Sequence, residues 1–264
     1  MPDIHPTAIV EDGAALAADC VIGPYCVIGP KVTLGPGVVT ASHVVIEGET
    51  EIGAGTRIGA FSAIGGPAQH LRAAQMEPGR VVIGAGCIVR EQVTVNTGLL
   101  SPDRTTRVGD RCFLMTGAHV AHDCGVADDV ILTNHATLAG HVQIDRGAII
   151  GGISAIHQFV RIGEYAFVGG MSGVEFDVIP YGMVVGNRAR LEGLNIIGLK
   201  RRGVSRAEIR ALREAYARLF ESGAPLSVAL EGFPAGGNDN VLVDTILDFL
   251  RADTKRRFCV PAQG

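Results

Sequence analysis

Hydrophobic side chains recur at every sixth position along most of this chain, and that period predicts its architecture. From Val10 the series runs through Leu16, Ile22, Ile28, Leu34, Thr40, Ile46, Ile52, Ile58 and Ile64, with only Thr40 not aliphatic. Two residues before each stands a small one: Ala8, Ala14, Cys20, Cys26, Val32, Val38, Val44, Thr50, Thr56 and Ser62. Successive side chains of a strand point to opposite faces, so positions i and i+2 share a face, and both sets are expected to point inward. The residue after each aliphatic is usually Gly, Ala or Glu, as at Gly23, Gly29, Gly35, Gly53 and Gly59. Glycine enters positive φ without a Cβ clash, which predicts a corner there. A short strand followed by a corner is the unit of a solenoid, and three six-residue units close one triangular coil of 18 residues.

The phase resumes at Ile83, Val89 and Val95, and again from Val108 through Leu114, Val120, Val126, Leu132, Leu138, Ile144, Ile150, Ile156, Ile162 and Val168 to Val174. Each restart is shifted by one residue, which locates two insertions, near 65–82 and 97–107, expected to leave the walls as loops. About eight coils at the strand spacing of about 4.8 Å predict a prism on the order of 40 Å long. After Pro180 the pattern stops. Ser205-Arg206-Ala207-Glu208 has the form of a capping box opening a helix to about Ser222. A second helix over about 240–251 puts Val243, Ile246, Leu247 and Leu250 on one face. The expected organisation is a mainly β chain, a parallel β-helix over 1–185 followed by a small helical domain over 186–264.

With 264 residues and 47% hydrophobic composition, a sizeable core is available. The formal charge of −4 argues against nucleic acid as a partner. Thirty-six glycines, no Trp and only 5% aromatics fit a thin repetitive core. The start, Met1-Pro2-Asp3-Ile4-His5, has no basic stretch leading into an apolar one, and no later run reaches the roughly 18 apolar residues that span a bilayer, so a cytoplasmic protein without an integral membrane segment is expected. Cys20, Cys26, Cys87, Cys112 and Cys124 all occupy the small inward slot, which makes them free core residues in a reducing compartment. Gly151-Gly152 and Gly169-Gly170 lie in corner register and lack a phosphate-loop lysine.

Candidate chemistry lies in polar residues that interrupt the wall: His119, His122, His135, His141 and His157. Asp123 and His141 are 18 residues apart and His122 and Gln158 are 36 apart, so these should stack along one edge in successive coils. His119 and His135 fall off that column. An imidazole so placed can act as a general base near neutral pH, with a neighbouring carboxylate fixing its tautomer. Two other readings stay open. A zinc site of the kind found in solenoid carbonic anhydrases would use several of these histidines, although His119 and His122, three apart in extended chain, tend to point to opposite sides. A non-catalytic scaffold would leave the column incidental.

The segments Ala118-His119-Val120-Ala121-His122-Asp123-Cys124, Thr137-Leu138-Ala139-Gly140-His141-Val142 and Ile156-His157-Gln158-Phe159 closely resemble the UDP-N-acetylglucosamine acyltransferases. Asn195 and Gly198-Leu199-Lys200-Arg201-Arg202-Gly203 resemble the same family's link into its helical domain. The resemblance implies a left-handed winding, a homotrimer with active sites between subunits, and transfer of a 3-hydroxyacyl group to the 3-position of a UDP-amino sugar in lipid A synthesis. It implies no bound cofactor, the acyl donor being carried on the phosphopantetheine of acyl carrier protein. By position, His122 would be the general base, Asp123 its orienting carboxylate, and the Gly140 N–H the donor to the oxyanion. His70, Arg72, His119, His141, His157, Gln158, Asn195 and Arg201 would bind the nucleotide sugar or the pantetheine arm. Gly170 falls where the family limits acyl-chain length, and is equally readable as one more corner glycine. Lys200, Arg201, Arg202, Arg206, Arg210 and Arg213 form a basic patch that would meet the acidic carrier protein or be a solvated helix face.

The chain departs from the family pattern in places. His70 and Arg72 stand where Asp and Lys are usual, Ile197 where Glu is common, and Arg188 where His is common. Asn96-Thr97-Gly98 replaces a usual His-Arg-Gly. Neutral His offers one donor and one acceptor where Asp offers only acceptors, so the acceptor sugar is open between a 3-hydroxyl and a 3-amine.

Overall fold

The computed structural model describes residues 1–77, 79–234, 240–252 and 256–262. Residue 78 of the first insertion, and 235–239, 253–255 and 263–264 of the expected helical region, lie outside the described residues. The chain winds as a parallel β-helix with three walls. In chain order, the first wall stacks eleven strands, the second nine and the third eight. The second wall thus has one strand more than the expected eight coils. The winding starts before the hydrophobic series, at Asp3–Ile4, and continues past it to Gly182–Val185. That last strand pairs antiparallel with Arg190–Leu194, so sheet structure extends beyond residue 185.

Both sets of repeat positions point inward. Ile22, Ile28, Ile46, Ile64, Leu114, Leu132 and Leu138 are fully buried, as are Cys20, Cys26, Val38 and Val44 from the small slot. Only the first coil, with Ala8, Val10, Ala14 and Leu16, is partly open, because nothing stacks beneath it. The small slot also has a polar duty. Cys26, Thr56, Ser62, Cys87, Cys112, Cys124 and Ser154 each donate to the carbonyl of the residue following the larger inward residue one coil on, at 2.9–3.1 Å. A buried carbonyl left unpaired would cost about 1–3 kcal/mol. The cysteines are therefore free, buried and engaged.

The expectation for the corner glycines is corrected. Positive φ occurs three residues after the larger inward residue, at Tyr25, His43, Phe61, Asp123, His141 and Phe159 among others, and at the residue directly after it only where the first insertion begins, at Gly65. Gly23, Gly53 and Gly59 are needed for space: a Cβ on Gly53 would lie 2.5 Å from the Ala85 nitrogen in the next coil. Side chains at positive φ stack from coil to coil, as in Tyr25–His43–Phe61, and these contacts offset part of the left-handed strain.

Past the prism, α1 (Ile196–Arg201), α2 (Arg206–Phe220), α3 (Leu226–Glu231) and α4 (Val241–Arg251) pack on its end. Ser205 and Glu208 form the expected reciprocal capping box, and α4 buries Val243, Ile246, Leu247 and Leu250 as its spacing requires. Asp177, wholly buried, clasps the tail to the prism by accepting from the Arg161 Nε at 2.7 Å and the Arg256 Nε at 3.1 Å. No helix among the described residues is long and apolar enough to cross a membrane.

Space rather than φ governs the glycine after the aliphatic, so two neighbouring substitutions should separate the effects. Gly55→Ala, at φ +69° with open space around its Cβ, should cost on the order of 1–2 kcal/mol. Gly53→Ala, at ordinary φ but against backbone, should lower the urea midpoint further; the opposite ranking would return the corner to a φ argument.

Candidate active site

The two insertions replace the same corner in consecutive coils. The first joins Ala63–Gly66 of the second wall to Arg80–Ile83 of the third, and the second joins Thr94–Asn96 to Thr105–Val108 across the same edge. Their last residues rejoin the third wall as strands, so the loops proper are shorter than expected. The loops are tied together. Gly79 N–H donates to the Gly98 carbonyl at 2.9 Å, and the Asn96 amide to the Pro67 carbonyl at 3.0 Å. In the next coils the edge returns to its tight form at 121–123, 139–141 and 157–159, which sets His122, Gly140 and Gln158 in one file and Asp123, His141 and Phe159 in the adjoining one.

Asp123 is the electrostatic centre. Its side chain is wholly buried. Its Oδ1 accepts from Leu99 N–H at 2.9 Å, Ser101 N–H at 3.0 Å and the Ser101 hydroxyl at 2.7 Å. Its Oδ2 accepts from Leu100 N–H at 2.9 Å and from His122 Nδ1 at 2.7 Å. Burial opposes the charge, but the bonds from Ser101, His122, Leu100 and Leu99 more than offset it and hold the carboxyl well below the usual carboxylate range. An ionised carboxylate only accepts, so the His122 proton sits on Nδ1 and leaves the Nε2 lone pair free.

Gly140 lies directly against that ring. A Cβ there would come within 2.7 Å of His122 Nε2, so only glycine allows the imidazole its position. The Gly140 N–H donates to nothing among the described residues. An acceptor for a proton and a free backbone donor thus stand side by side, the pair that acyl transfer through an oxyanion requires. His141 meets His122 edge to face at 5.2 Å and stacks on Phe159 at 4.5 Å. Burial lowers the His141 pKa, partly countered by Asp123, and burial also lowers that of His119. His70, from the first insertion, lays its ring 5.7 Å from His122.

The comparisons with known proteins agree along the whole length. The acyl-(acyl-carrier-protein)–UDP-N-acetylglucosamine O-acyltransferase of Sinorhizobium fredii is 44% identical over 265 residues, covering 99% of this chain and 96% of its own. That of Agrobacterium fabrum is 42% identical with the same coverage. This chain belongs to the UDP-N-acetylglucosamine O-acyltransferase family. Residues 177–259 match the model of that acyltransferase's domain 2. Among solved structures, the family member from Moraxella catarrhalis superposes with a TM-score of 0.93 at 39% identity, covering 97% of this chain and 99% of that one. The one from Acinetobacter baumannii gives 0.91 at 37%, covering 98% and 99%. The fold is accordingly the left-handed parallel β-helix.

Other residues singled out by likeness to the acyltransferase family are distributed unequally. Arg72 is exposed beside His70, its N–H donating to His70 Nδ1 at 3.2 Å. His119 stands on the second wall, bonded to Thr94 at 2.7 Å. His157 and Gln158 lie exposed on the edge of His122, two coils on, with His157 facing a cavity of about 430 Å³ shared with Glu175, Phe176, Arg256 and Arg257. His135 and Gly170 are on the edge between the first and second walls, and a Cβ on Gly170 would meet the Gly152 carbonyl oxygen at 3.4 Å and its nitrogen at 3.9 Å. Asn195 caps α1 by accepting from Gly198 N–H at 3.0 Å, and donates to the Tyr165 carbonyl at the edge between the third and first walls. Arg201 ends that helix, exposed. Within one chain, then, Gly170, Asn195 and Arg201 are not brought to His122. The six basic residues are all exposed, though Arg202 covers the Tyr165 ring and Arg210 pairs with Glu214.

Among the described residues, His122, Asp123 and His141 also form a group with metal-ligating atoms within 4.8 Å of one another. It offers two imidazoles and a carboxylate already engaged by five donors. The Leu99, Leu100 and Ser101 donors were not anticipated from sequence. The register pairs Val95 with Val120, so the second insertion had to follow directly below His122 and Asp123.

The depressed Asp123 pKa carries a stability signature. The folded state holds the carboxylate, so its contribution is full above the unfolded value of about 3.9 and is lost as pH falls toward the folded value. Half-buried His119 and His141, with pKa values lowered in the fold, act in the same direction in a higher window, because unfolding frees them to take up protons as pH falls below about 6.5. Asp123→Asn should therefore melt lower at pH 7 yet lose less melting temperature than the parent between pH 5 and 3; parallel curves would refute the assignment.

Proposed function

We propose that this chain transfers a 3-hydroxyacyl group from acyl carrier protein to the 3-hydroxyl of UDP-N-acetylglucosamine, in the cytoplasm, as a step of lipid A synthesis. Membership of the acyltransferase family supports the reaction class and both substrates. The observation that carries the mechanism is His122, its Nδ1 bonded to Asp123 and its Nε2 open beside the Gly140 N–H.

The acceptor oxygen attacks the thioester carbonyl carbon as His122 Nε2 takes its proton, and the developing oxyanion accepts from the Gly140 N–H. Collapse breaks the carbon–sulfur bond, and the His122 imidazolium returns the proton to the departing pantetheine sulfur. Asp123 holds the tautomer and stabilises the imidazolium. A base so placed contributes about 10²- to 10⁴-fold in rate. No bound cofactor takes part, since the activated acyl group arrives on the carrier's phosphopantetheine.

His70, Arg72, His119, His141, His157 and Gln158 are proposed to line the sugar and the pantetheine arm. Asn195 and Arg201 stand on a different edge, so they reach the substrate of a neighbouring copy, and a homotrimer with sites between subunits accounts for this. Arg201 suits a diphosphate through its forked donors. Gly170 sets the room for the acyl tail. The basic residues Lys200, Arg201, Arg202, Arg206, Arg210 and Arg213 are the proposed meeting place for the acidic carrier protein.

His122→Ala should abolish transfer while circular dichroism and the trimer persist; retained activity would remove His122 from its role. A panel of acyl carrier protein thioesters and UDP-sugars reads chain length and acceptor together, and faster turnover of a 3-amino sugar would replace the ester with an amide. Stoichiometric zinc in the purified protein would favour a hydratase instead.

A further inference from the structure

Among the donors to Asp123, one is a side chain that the reaction as described does not use. We infer that Ser101 is a positioning residue for acyl transfer, its hydroxyl locking the Asp123 carboxylate in the orientation that turns Oδ2 to His122. The proposal rests on His122 being the base.

The geometry divides the carboxylate into two halves. Oδ1 takes Leu99 N–H, Ser101 N–H and the Ser101 hydroxyl, while Oδ2 takes Leu100 N–H and His122 Nδ1. The torsion that rotates a carboxylate about its bond to Cβ is soft and its two oxygens are equivalent, so how squarely one of them faces the imidazole depends on how firmly the other is held. The amides come with the backbone of the loop. The hydroxyl, at 2.7 Å, is the shortest bond on Oδ1. It has a competing acceptor, Asp103 Oδ1, at 3.3 Å. Arg107 binds the other oxygen of that carboxylate, Asp103 Oδ2, at 2.7 Å, and the shorter contact of the single hydroxyl proton is the one to Asp123. Ser101 touches neither His122 nor Gly140 in any hydrogen bond of the site, so its influence passes through Asp123 alone.

With the hydroxyl removed, Oδ1 loses its strongest donor and the carboxylate samples rotations in which His122 Nδ1 has no fixed acceptor. The imidazole then populates the tautomer protonated on Nε2, which is not a base toward substrate. Ser101→Ala should lower kcat about tenfold with KM for both substrates unchanged and circular dichroism close to that of the parent, and Ser101→Thr should restore most of the rate. Nitrogen-15 spectra of the His122 ring should report a single Nδ1–H tautomer in the parent and a mixture in Ser101→Ala. Ser101→Gly, which lacks the same hydroxyl, should show the same loss in both readouts. Full activity in Ser101→Ala alongside an inactive His122→Ala would overturn the role of Ser101 alone. An active His122→Ala would overturn the reading beneath it. A raised KM at unchanged kcat, or an unmixed tautomer, would also sink the proposal by making Ser101 a substrate contact or a bystander.

Discussion

Everything in this molecule depends on the stacking of coils at the distance of a backbone hydrogen bond. Each rung's amides bond to the carbonyls of the next, so one rung's edge is the next rung's partner and the sheet edges that would invite aggregation are confined to the two ends. That spacing leaves little volume inside. It is why the inward positions alternate small and branched, why a residue after the aliphatic must often be glycine, and why the small slot is so often Cys, Ser or Thr, which fill little space and also bond a corner carbonyl. The same spacing brings residues one coil apart within contact. Asp123 and His141 come to 3.6 Å and His141 stacks on Phe159 with no loop needed to gather them.

A regular prism has no concavity, and a site needs one. Here it is made by interrupting a single edge twice in succession. The first insertion lays His70 across His122, and the second curls three amides and a hydroxyl around Asp123. Charge burial would otherwise forbid a carboxylate at that depth, since an unpaired one costs far more than the fold can spare. The nest makes it permanent, and a permanent anion fixes the imidazole beside it without sharing its proton.

Much of this was legible in the sequence, for physical reasons that also mark where reading stopped. The period of six follows from strand geometry, so the inward set from Val10 to Val174 and the stacking of Asp123 with His141 could be counted. Corner conformation could not be, because left-handed residues here are Tyr, His, Phe and Asp as often as Gly, tolerated through stacking between coils that no local rule contains. The insertions were visible as slips of phase, but a slip does not say what the inserted backbone bonds to, and the donors to Asp123 are mostly amides, which every residue carries. Asn195 shows a different limit: likeness to the family marks it as a binding residue, whereas within one chain its oxygen caps a helix and its nitrogen donates to the Tyr165 carbonyl, partners that no local pattern announces.

The division of residues among edges carries the last step. His122, His141 and His70 share one edge, Asn195 and Arg201 another, and Gly170 a third position again on the boundary of the first and second walls. No bending of so densely bonded a prism could bring these together, because each coil is held by its neighbours on all three walls. If all of them serve one reaction, as proposed, separate copies must supply them, and a ring of three is the smallest that heterologous contacts can close. On that proposal, the rigidity that makes the His122 corner accurate would also make one chain insufficient: a stiff rod can present a base with little loss of geometry, but it would have to borrow its opposite wall.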